Sequence, residues 1–187
     1  MRVIAGKCRS LPLKTLPGKD TRPTTDRIKE TLFNILQNDI PGCRFLDLFS
    51  GSGAIGIEAL SRGAESCCFV DKSRQAVKII NDNLHFTKLE NQATVLQMDA
   101  MSAIRYLAGK APFDVVFLDP PYLHDLEKEA LEALRTSSCV TKDTLFVVEA
   151  SIKNDFSWLD NSGYTCIKWK TYKTNEHLFL RLDTAGE

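Results

Sequence analysis

The chain has 187 residues and a mass of 21.0 kDa, which suits one α/β domain of ordinary size and is too short for two. Hydrophobic residues make up 43% and charged residues 26% of the sequence, so a disordered chain is excluded. Lysine plus arginine and aspartate plus glutamate number 24 each, which excludes a histone-like polycation.

The charge is nonetheless unevenly distributed. Residues 1–29 contain eight basic and two acidic residues and carry a net charge of +6, while the remainder carries −6. Such asymmetry is expected where one end of a protein faces a polyanion, although a solvated basic segment without a partner gives the same pattern.

The first forty residues predict a hairpin followed by a helix. Two apolar runs, 3–5 and 11–13, are separated by a basic turn and are typical of a small hairpin. Thr24 or Thr25 can cap a helix that runs to about Gln37 and is amphipathic.

Further along the chain, short apolar runs alternate with amphipathic stretches. The runs predict strands at about 45–49, 67–70, 94–98, 115–118, 145–148, 164–169 and 178–182. The amphipathic stretches predict helices at about 53–62, 73–86, 100–109 and 124–136. This alternation is typical of a parallel sheet covered on both faces, and the last two runs predict an antiparallel hairpin. We therefore predict an open, doubly wound sheet of about seven strands, with ligands bound at the carboxyl ends of the strands.

A glycine-rich turn follows the predicted first strand. Gly51, Gly53 and Gly56 match G-x-G-x-x-G between that strand and a helix, and Asp71 ends the next strand, twenty residues after Gly51. Glycines permit a tight turn and let a ligand approach the backbone closely, and the amides at the start of a helix can donate hydrogen bonds to an anionic group. An acid at the next strand end can accept both hydroxyls of a ribose. The pattern predicts a nucleoside-binding loop, and the alternative is a tight turn without a ligand.

Two more strand-end carboxylates distinguish a dinucleotide from S-adenosylmethionine (SAM) as the ligand. Asp47 lies four residues before Gly51, where it would face the ammonium group of SAM and repel a pyrophosphate. Asp99 ends the predicted third strand, where it can accept from an adenine amino group or cap the helix that begins at Ala100. Carboxylates at several strand ends favour SAM, which carries cationic centres and no phosphate.

The predicted fourth strand ends in Asp119-Pro120-Pro121-Tyr122. The prolines stiffen the backbone and end the sheet ladder, which fixes Asp119 and the Pro120 carbonyl as acceptors. Hydrogen bonds from an exocyclic amine to these acceptors would favour a tetrahedral nitrogen and stabilise its developing positive charge. Tyr122 can stack on the base. The motif predicts methyl transfer to a nucleobase amine without a metal, and the alternative is a Pro-Pro turn after a buried strand.

Three segments together resemble one known family. Residues 47–53 (D-L-F-S-G-S-G), 119–122 (D-P-P-Y) and 22–27 (R-P-T-T-D-R) are similar to the bacterial small-subunit rRNA guanine-N2 methyltransferases of the RsmD type. The similarity runs from the opening R-V-I-A-G to the closing hairpin. One departure is that Tyr172 is followed by K-T-N, where the family usually has a glycine.

The resemblance implies a Rossmann-like, seven-stranded SAM-dependent methyltransferase fold, mostly parallel, with a C-terminal antiparallel hairpin and a small N-terminal basic extension. It also implies SAM as methyl donor and the N2 amine of a guanine in 16S rRNA as target. The RNA is expected within an assembled or assembling small subunit.

The motifs and the resemblance together assign the candidate site residues. The catalytic set is Asp119, Pro120, Pro121 and Tyr122. The cofactor-binding set is Asp47, Ser50, Gly51, Ser52, Gly53, Asp71, Lys72, Asp99 and Ala100. The candidate RNA contacts are Lys7, Arg9, Arg22, Thr24 and Arg27, of which Arg22 and Thr24 can instead line the cleft. We expect residues 1–40 to form a substrate-facing segment and 41–187 the methyltransferase domain, within one monomeric protein.

Three other functions fit parts of the sequence. An adenine-N6 nucleic-acid methyltransferase uses the same D-P-P-Y chemistry, but no residues remain for the separate target-recognition domain of a DNA adenine enzyme. A nicotinamide-dependent oxidoreductase fits the glycine loop and Asp71, but not Asp47 or the D-P-P-Y motif. A non-catalytic RNA-binding assembly factor would not need these intact motifs.

The remaining features indicate the cellular compartment. The cysteines, at positions 8, 43, 67, 68, 139 and 166, form no C-x-x-C pair and no zinc-ligand cluster, so reduced thiols are expected. Cys67 and Cys68 should point to opposite faces of a strand. The sequence starts without an apolar stretch typical of a signal peptide, and no run is long enough to cross a membrane. We therefore expect a cytoplasmic protein.

Overall fold

The structure is a computed structural model that describes residues 1–16, 26–121 and 126–183. The strands are β1 (Arg44–Asp47), β2 (Ser66–Val70), β3 (Ala93–Leu96), β4 (Val115–Leu118), β5 (Leu145–Ser151), β6 (Tyr164–Thr171) and β7 (Asn175–Leu182). The helices are α1 (Asp26–Ile35), α2 (Ala54–Ser61), α3 (Arg74–Thr87), α4 (Ala100–Leu107) and α5 (Leu126–Arg135). Short 3₁₀ turns occur at Glu90–Gln92 and Ser157–Asn161.

The seven strands form one sheet in the order β3-β2-β1-β4-β5-β7-β6. The first five strands pair in parallel, β7 is antiparallel to β5, and β6 is antiparallel to β7. The carboxyl ends of β1 to β6 therefore lie at one edge of the sheet, together with the start of β7. We call this the carboxyl edge and its opposite the amino edge. The strand order reverses between β1 and β4, where doubly wound sheets bind ligands.

The predicted fold class is confirmed, and the differences concern the ends of elements. The N-terminal hairpin is reduced to one bridge between Arg2 and Pro12. β7 begins at Asn175 rather than 178. Its first residues are polar and so lie outside the apolar run, but the side chains of Asn175 and His177 form buried hydrogen bonds. The predicted caps Thr24 and Thr25 lie outside the described residues. Within the described ranges, no helix combines the length and hydropathy needed to cross a membrane.

Each face of the sheet carries its own hydrophobic core. The core on one face includes side chains of α1, α2, α3 and the N-terminal segment, and the other includes side chains of α4 and α5. Neighbouring residues on one strand alternate between the cores, as Phe45 and Leu46 do. Cys67 and Cys68 also lie in different cores, which confirms their predicted orientation.

A buried carboxylate attaches the N-terminal segment to α2. Glu58 Oε2 accepts the amide of Ile4 at 2.8 Å, and Oε1 accepts the amide of Ala5 at 3.0 Å. The carboxylate also pairs with Lys29 Nζ at 3.3 Å and Arg62 Nε at 2.7 Å. Both Glu58 and Lys29 are fully buried. Burial lowers the pKa of the Lys29 ammonium, although Glu58 acts in the opposite direction.

The same segment continues to the glycine-rich turn after β1. The side-chain oxygen of Asn83 on α3 accepts the amide of Lys14 at 2.8 Å. Its side-chain nitrogen donates to the carbonyls of Lys14 and Ser52, each at 3.0 Å. One side chain of α3 therefore connects the N-terminal segment to the turn.

We expect Glu58→Gln to lower the free energy of unfolding by about 3–5 kcal/mol, because the substitution leaves the buried Lys29 ammonium without its counter-ion. Urea unfolding followed by circular dichroism measures this loss. The matched control is Glu65→Gln, an exposed glutamate before β2, with an expected change within about 0.5 kcal/mol. Equal unfolding midpoints for Glu58→Gln and the unsubstituted protein would contradict the buried ion pair.

Candidate active site

A cavity of about 360 Å³ opens at the carboxyl edge where the strand order reverses. This volume is typical of a small-molecule site. The predicted site residues that line it are Asp47, Ser50, Gly51, Ser52 and Asp119. Other lining residues are Met1, Thr15 and Leu16 of the N-terminal segment and Lys29 of α1. The cavity therefore joins the glycine-rich turn to the end of β4.

Glycines determine the path of the turn and the position of α2. Gly51 and Gly53 have φ angles of 55° and 77°, in the left-handed region that side-chain-bearing residues rarely adopt. Gly56 has a different role, because a Cβ there would lie 2.3 Å from the ring of Phe69 on β2. The third glycine thus lets α2 pack closely against the sheet.

Side-chain hydrogen bonds tie this turn to β1 and β2. Ser50 Oγ donates to the carbonyl of Asp47 at 2.7 Å and accepts the amide of Val70 at 2.9 Å. Asp71 Oδ2 accepts the amide of Gly51 at 2.9 Å, and its Oδ1 accepts the amide of Ser73 at 2.8 Å. The structure therefore brings Asp71 next to the glycine-rich turn.

Asp47 is a buried carboxylate at the end of β1. Its Oδ2 accepts the amide of Gly56 at 3.1 Å. Burial raises the pKa of Asp47 to about 7, with a smaller contribution from the charge of Asp71, although the Gly56 amide favours the ionised form. The carboxyl group can therefore gain or lose its proton near neutral pH.

Asp119 follows β4 and faces the same cavity. Although part of this residue is exposed, burial of the carboxyl group raises its pKa well above the usual range, and the nearby carboxylates of Glu149 and Asp47 raise it further. A cationic ligand would reverse these effects, because it would stabilise the ionised forms. Among the residues described, no group of three or more His, Cys, Asp or Glu side chains is arranged to hold a metal ion.

The neighbouring motif residues differ in their surroundings. Pro120 is buried and Pro121 is exposed. Tyr122, the fourth member of the motif, lies outside the described residues. The rigid Pro-Pro backbone directly follows Asp119, the residue after β4 that lines the cavity.

Asp99 caps α4 in this structure. Its Oδ1 accepts the amide of Ser102 at 2.9 Å and its Oδ2 accepts the Ser102 hydroxyl at 2.7 Å. These hydrogen bonds lower the pKa of Asp99. Ala100 is the buried first residue of α4, and Lys72 is exposed after Asp71. None of the three lines the cavity.

The candidate RNA contacts are not brought together. Lys7 donates its amide to the carbonyl of Ser61 at the end of α2, which places Lys7 near the amino edge. Arg9 is exposed in the same turn, and Arg27 is exposed on α1. Arg22 and Thr24 lie outside the described residues. The basic turn containing Lys7 is thus remote from the cavity.

A buried polar cluster beside Asp119 was missed by the sequence analysis. Glu149 Oε2 lies 3.0 Å from His177 Nε2, and Asn175 Nδ2 donates to Glu149 Oε1 at 2.7 Å. The hydroxyl of Tyr172 lies 3.2 Å from His177 Nδ1. The available signal was a glutamate inside the apolar run of β5, but its partners on the hairpin are distant in sequence.

A second depression, of about 660 Å³, lies on the outer surface of α3 and near the end of β3. It is more open than the cavity at Asp119, and Arg74, Lys78 and Gln97 contribute to its lining. It contains none of the predicted site residues.

Comparisons with known proteins agree with this arrangement. The profile of the family described as conserved hypothetical protein 95 matches residues 1–181. A Bacillus subtilis protein named putative rRNA methyltransferase YlbH is 41% identical over 80% of this chain and 82% of its own length. Ribosomal RNA small subunit methyltransferase D of Escherichia coli K12 is 39% identical over 82% of this chain and 76% of its own length.

A solved structure of a putative methyltransferase, yhhF, from Escherichia coli superposes with a TM-score of 0.84. It is 32% identical in sequence, and the match covers 98% of each chain. The chain belongs to the conserved hypothetical protein 95 family, the family of the ribosomal RNA small subunit methyltransferase D proteins.

Proposed function

We propose that the protein transfers the methyl group of SAM to the N2 amine of a guanine in 16S rRNA. The observation that carries this proposal is that Asp119, at the end of β4, faces the same cavity as Asp47 and the glycine-rich turn. Relatives named ribosomal RNA small subunit methyltransferase D support RNA of the small subunit as the substrate.

The charge of the cavity supports SAM over a dinucleotide. The raised pKa values of Asp47 and Asp119 mark a site where further negative charge is unfavourable. A pyrophosphate would add such charge, whereas the ammonium and sulfonium groups of SAM would offset it. In this assignment Asp47 holds the ammonium group, Asp71 accepts the ribose hydroxyls, and the backbone of residues 50–53 lines the ligand.

The residues at the end of β4 prepare the target nitrogen. When bound, SAM supplies an electrophilic methyl group on a sulfonium that is already a good leaving group. Asp119 and the Pro120 carbonyl accept hydrogen bonds from the amine, which directs its lone pair out of the base plane and stabilises the positive charge that develops. The methylated nitrogen then loses a proton, and Asp119 is the nearest proposed acceptor. Tyr122 is assigned to stack on the base.

The same proposal includes the location of the protein, its oligomeric state and the form of its RNA substrate. A cytoplasmic monomer would act on a small-subunit particle, with residues 1–40 facing the RNA. The net charge of +6 on residues 1–29 supports an RNA-facing role for the exposed part of this segment, whereas Lys29 is buried and Lys7 lies near the amino edge.

Methyl transfer from labelled SAM tests the proposal directly. The acceptors are small-subunit particles that lack the modification and, in parallel, naked 16S rRNA. Nucleoside analysis of the product should give N2-methylguanosine, with the particle as the better substrate. N6-methyladenosine as the product would instead support the adenine alternative, and no incorporation into either acceptor would contradict the rRNA substrate.

We expect Asp119→Ala to lower the rate of methyl transfer at least about 100-fold, because the variant loses an acceptor that stabilises the developing charge. SAM affinity, measured by calorimetry, should change little. Asp114→Ala is the matched control, because Asp114 directly precedes β4 at the amino edge, and it should keep near-normal activity. An active Asp119→Ala variant would overturn the assigned mechanism.

The affinity for SAM should depend on pH through Asp47. Below its pKa of about 7, Asp47 is protonated and cannot pair with an ammonium group, so affinity should fall roughly five- to tenfold from pH 7.5 to pH 6. Asp47→Asn should bind SAM more weakly at pH 7.5 and show little pH dependence. The control ligand is 5′-methylthioadenosine, which lacks the amino-acid part. A constant SAM affinity over this range would exclude the proposed contact.

A further inference from the structure

Acidic and polar side chains form a row across three adjacent strands at the carboxyl edge. Leu118 of β4 pairs with Val148 of β5, so the next residues along these parallel strands, Asp119 and Glu149, are neighbours. Glu149 in turn pairs with His177 of β7. Adjacent strands lie about 4.7–4.9 Å apart, and paired residues point to the same face of a sheet. Glu149 therefore lies beside Asp119 on the face that carries the cavity.

The Glu149 carboxylate is held in one orientation by its neighbours on β7. Asn175 donates to one of its oxygens at 2.7 Å, and His177 Nε2 lies 3.0 Å from the other. Because a carboxylate only accepts, His177 Nε2 is the donor to Glu149, and the Tyr172 hydroxyl lies 3.2 Å from the other ring nitrogen, Nδ1. Glu149 is 3% exposed and His177 is fully buried. This geometry gives a fixed acceptor, which is the arrangement that selective recognition requires.

The cluster contains acceptors that the N–H groups of a ligand could use. A carboxylate has about four acceptor positions, so Glu149 can accept from a ligand in addition to its protein donors. Asn175 is 3% exposed, and its side-chain oxygen has no hydrogen-bond partner in the described part of the chain. A buried acceptor without a donor is unfavourable, so a substrate that supplies N–H groups beside Asn175 would be stabilised here.

The two candidate bases differ in the group next to the target amine. The N2 amine of guanine is flanked by N1, which carries a hydrogen, and by N3. The N6 amine of adenine is flanked by N1 and N7, and both of these nitrogens are acceptors. A second carboxylate beside Asp119 can therefore form a hydrogen bond with guanine, whereas it would face a lone pair on adenine.

We propose that Glu149 is a specificity-determining residue, which accepts the N1–H of the target guanine while Asp119 accepts from the N2 amine. This inference rests on the proposed function and explains how a D-P-P-Y site selects guanine rather than adenine. His177 and Asn175 act as positioning residues that hold the Glu149 carboxylate.

The first test uses the unsubstituted protein and a change in the RNA. At the guanine mapped by the methylation assay, 2-aminopurine is introduced by ligation, because this base keeps the N2 amine but has an acceptor at N1. The expected result is a 10- to 100-fold lower kcat/KM for the substituted RNA, since a hydrogen bond to a charged group is lost. Equal kcat/KM values for the two RNAs would overturn the proposal.

The second test changes Glu149 itself. Glu149→Gln should lower kcat/KM for the guanine RNA by a similar factor but leave the 2-aminopurine RNA within about threefold, so the preference collapses. The matched control is Glu176→Gln, a buried glutamate on β7 that bonds Trp169 Nε1 at 2.8 Å and points to the other face. It should retain the preference. A folded Glu149→Gln variant that keeps the normal preference would contradict the proposal, even if its overall rate is lower.

Two measurements distinguish failure of this inference from failure of the proposed function on which it rests. SAM binding by Glu149→Gln should match that of the unsubstituted protein, and thermal unfolding shows whether the variant is folded. If it does not fold, the 2-aminopurine comparison still decides. Methylation of guanine with no discrimination against 2-aminopurine would remove the role of Glu149 and leave the proposed function intact. Absence of N2-methylguanosine in the unsubstituted RNA would overturn both.

Discussion

Desolvated negative charge at the carboxyl edge is the constraint on which the site depends. Parallel strands deliver Asp47 and Asp119 to one cavity, where burial raises the pKa of both carboxyl groups. A cation is needed to keep both ionised. Lys29 also lines the cavity, but its ammonium is already paired with Glu58 and bonded to the carbonyl of Arg2. Under the proposed function, the ammonium and sulfonium groups of SAM supply this compensating charge.

The N-terminal segment has a structural role in the same cavity. Hydrogen bonds from Ile4 and Ala5 to Glu58 fix one part of the segment on α2, and Asn83 fixes another part next to the glycine-rich turn. Because Thr15 lies in the cavity wall, any movement of this segment changes the shape of the cavity. A segment assigned to RNA contact is thus also part of the proposed SAM pocket.

The sequence predicted those features that are determined by residues close together along the chain. The apolar runs gave the strand positions, the motifs at the ends of β1 and β4 placed Asp47 and Asp119 in one cavity, and the resemblance to the RsmD type is confirmed by the family match. The pairing of Glu58 with Ile4 was not predictable, because a glutamate in a helix normally reads as a surface residue and its partner amide is 54 residues away. The individual site roles and the division at residue 40 stay predictions.

The Glu149 cluster was missed for a similar reason. Its members come from β5 and from the β6–β7 hairpin, and only the antiparallel register brings Glu149 and His177 together. Lys7 and Arg9 illustrate a different limit of the sequence. Their positive charge is evident from the sequence, but their location in the fold is not. Charge patterns identify a basic segment, whereas the hydrogen bond between Lys7 and Ser61 decides which edge of the sheet it faces.

The register shift in β6 has a consequence for how the molecule behaves in concentrated solution. β6 is an outermost strand, and its pairing with β7 is irregular between Cys166 and Lys168. Lysines at positions 168 and 170 are exposed along it. An irregular strand rich in lysine is a poor template for a strand from another chain. The bulge and the lysines together oppose edge-to-edge aggregation at the end of the sheet where the hairpin closes the fold.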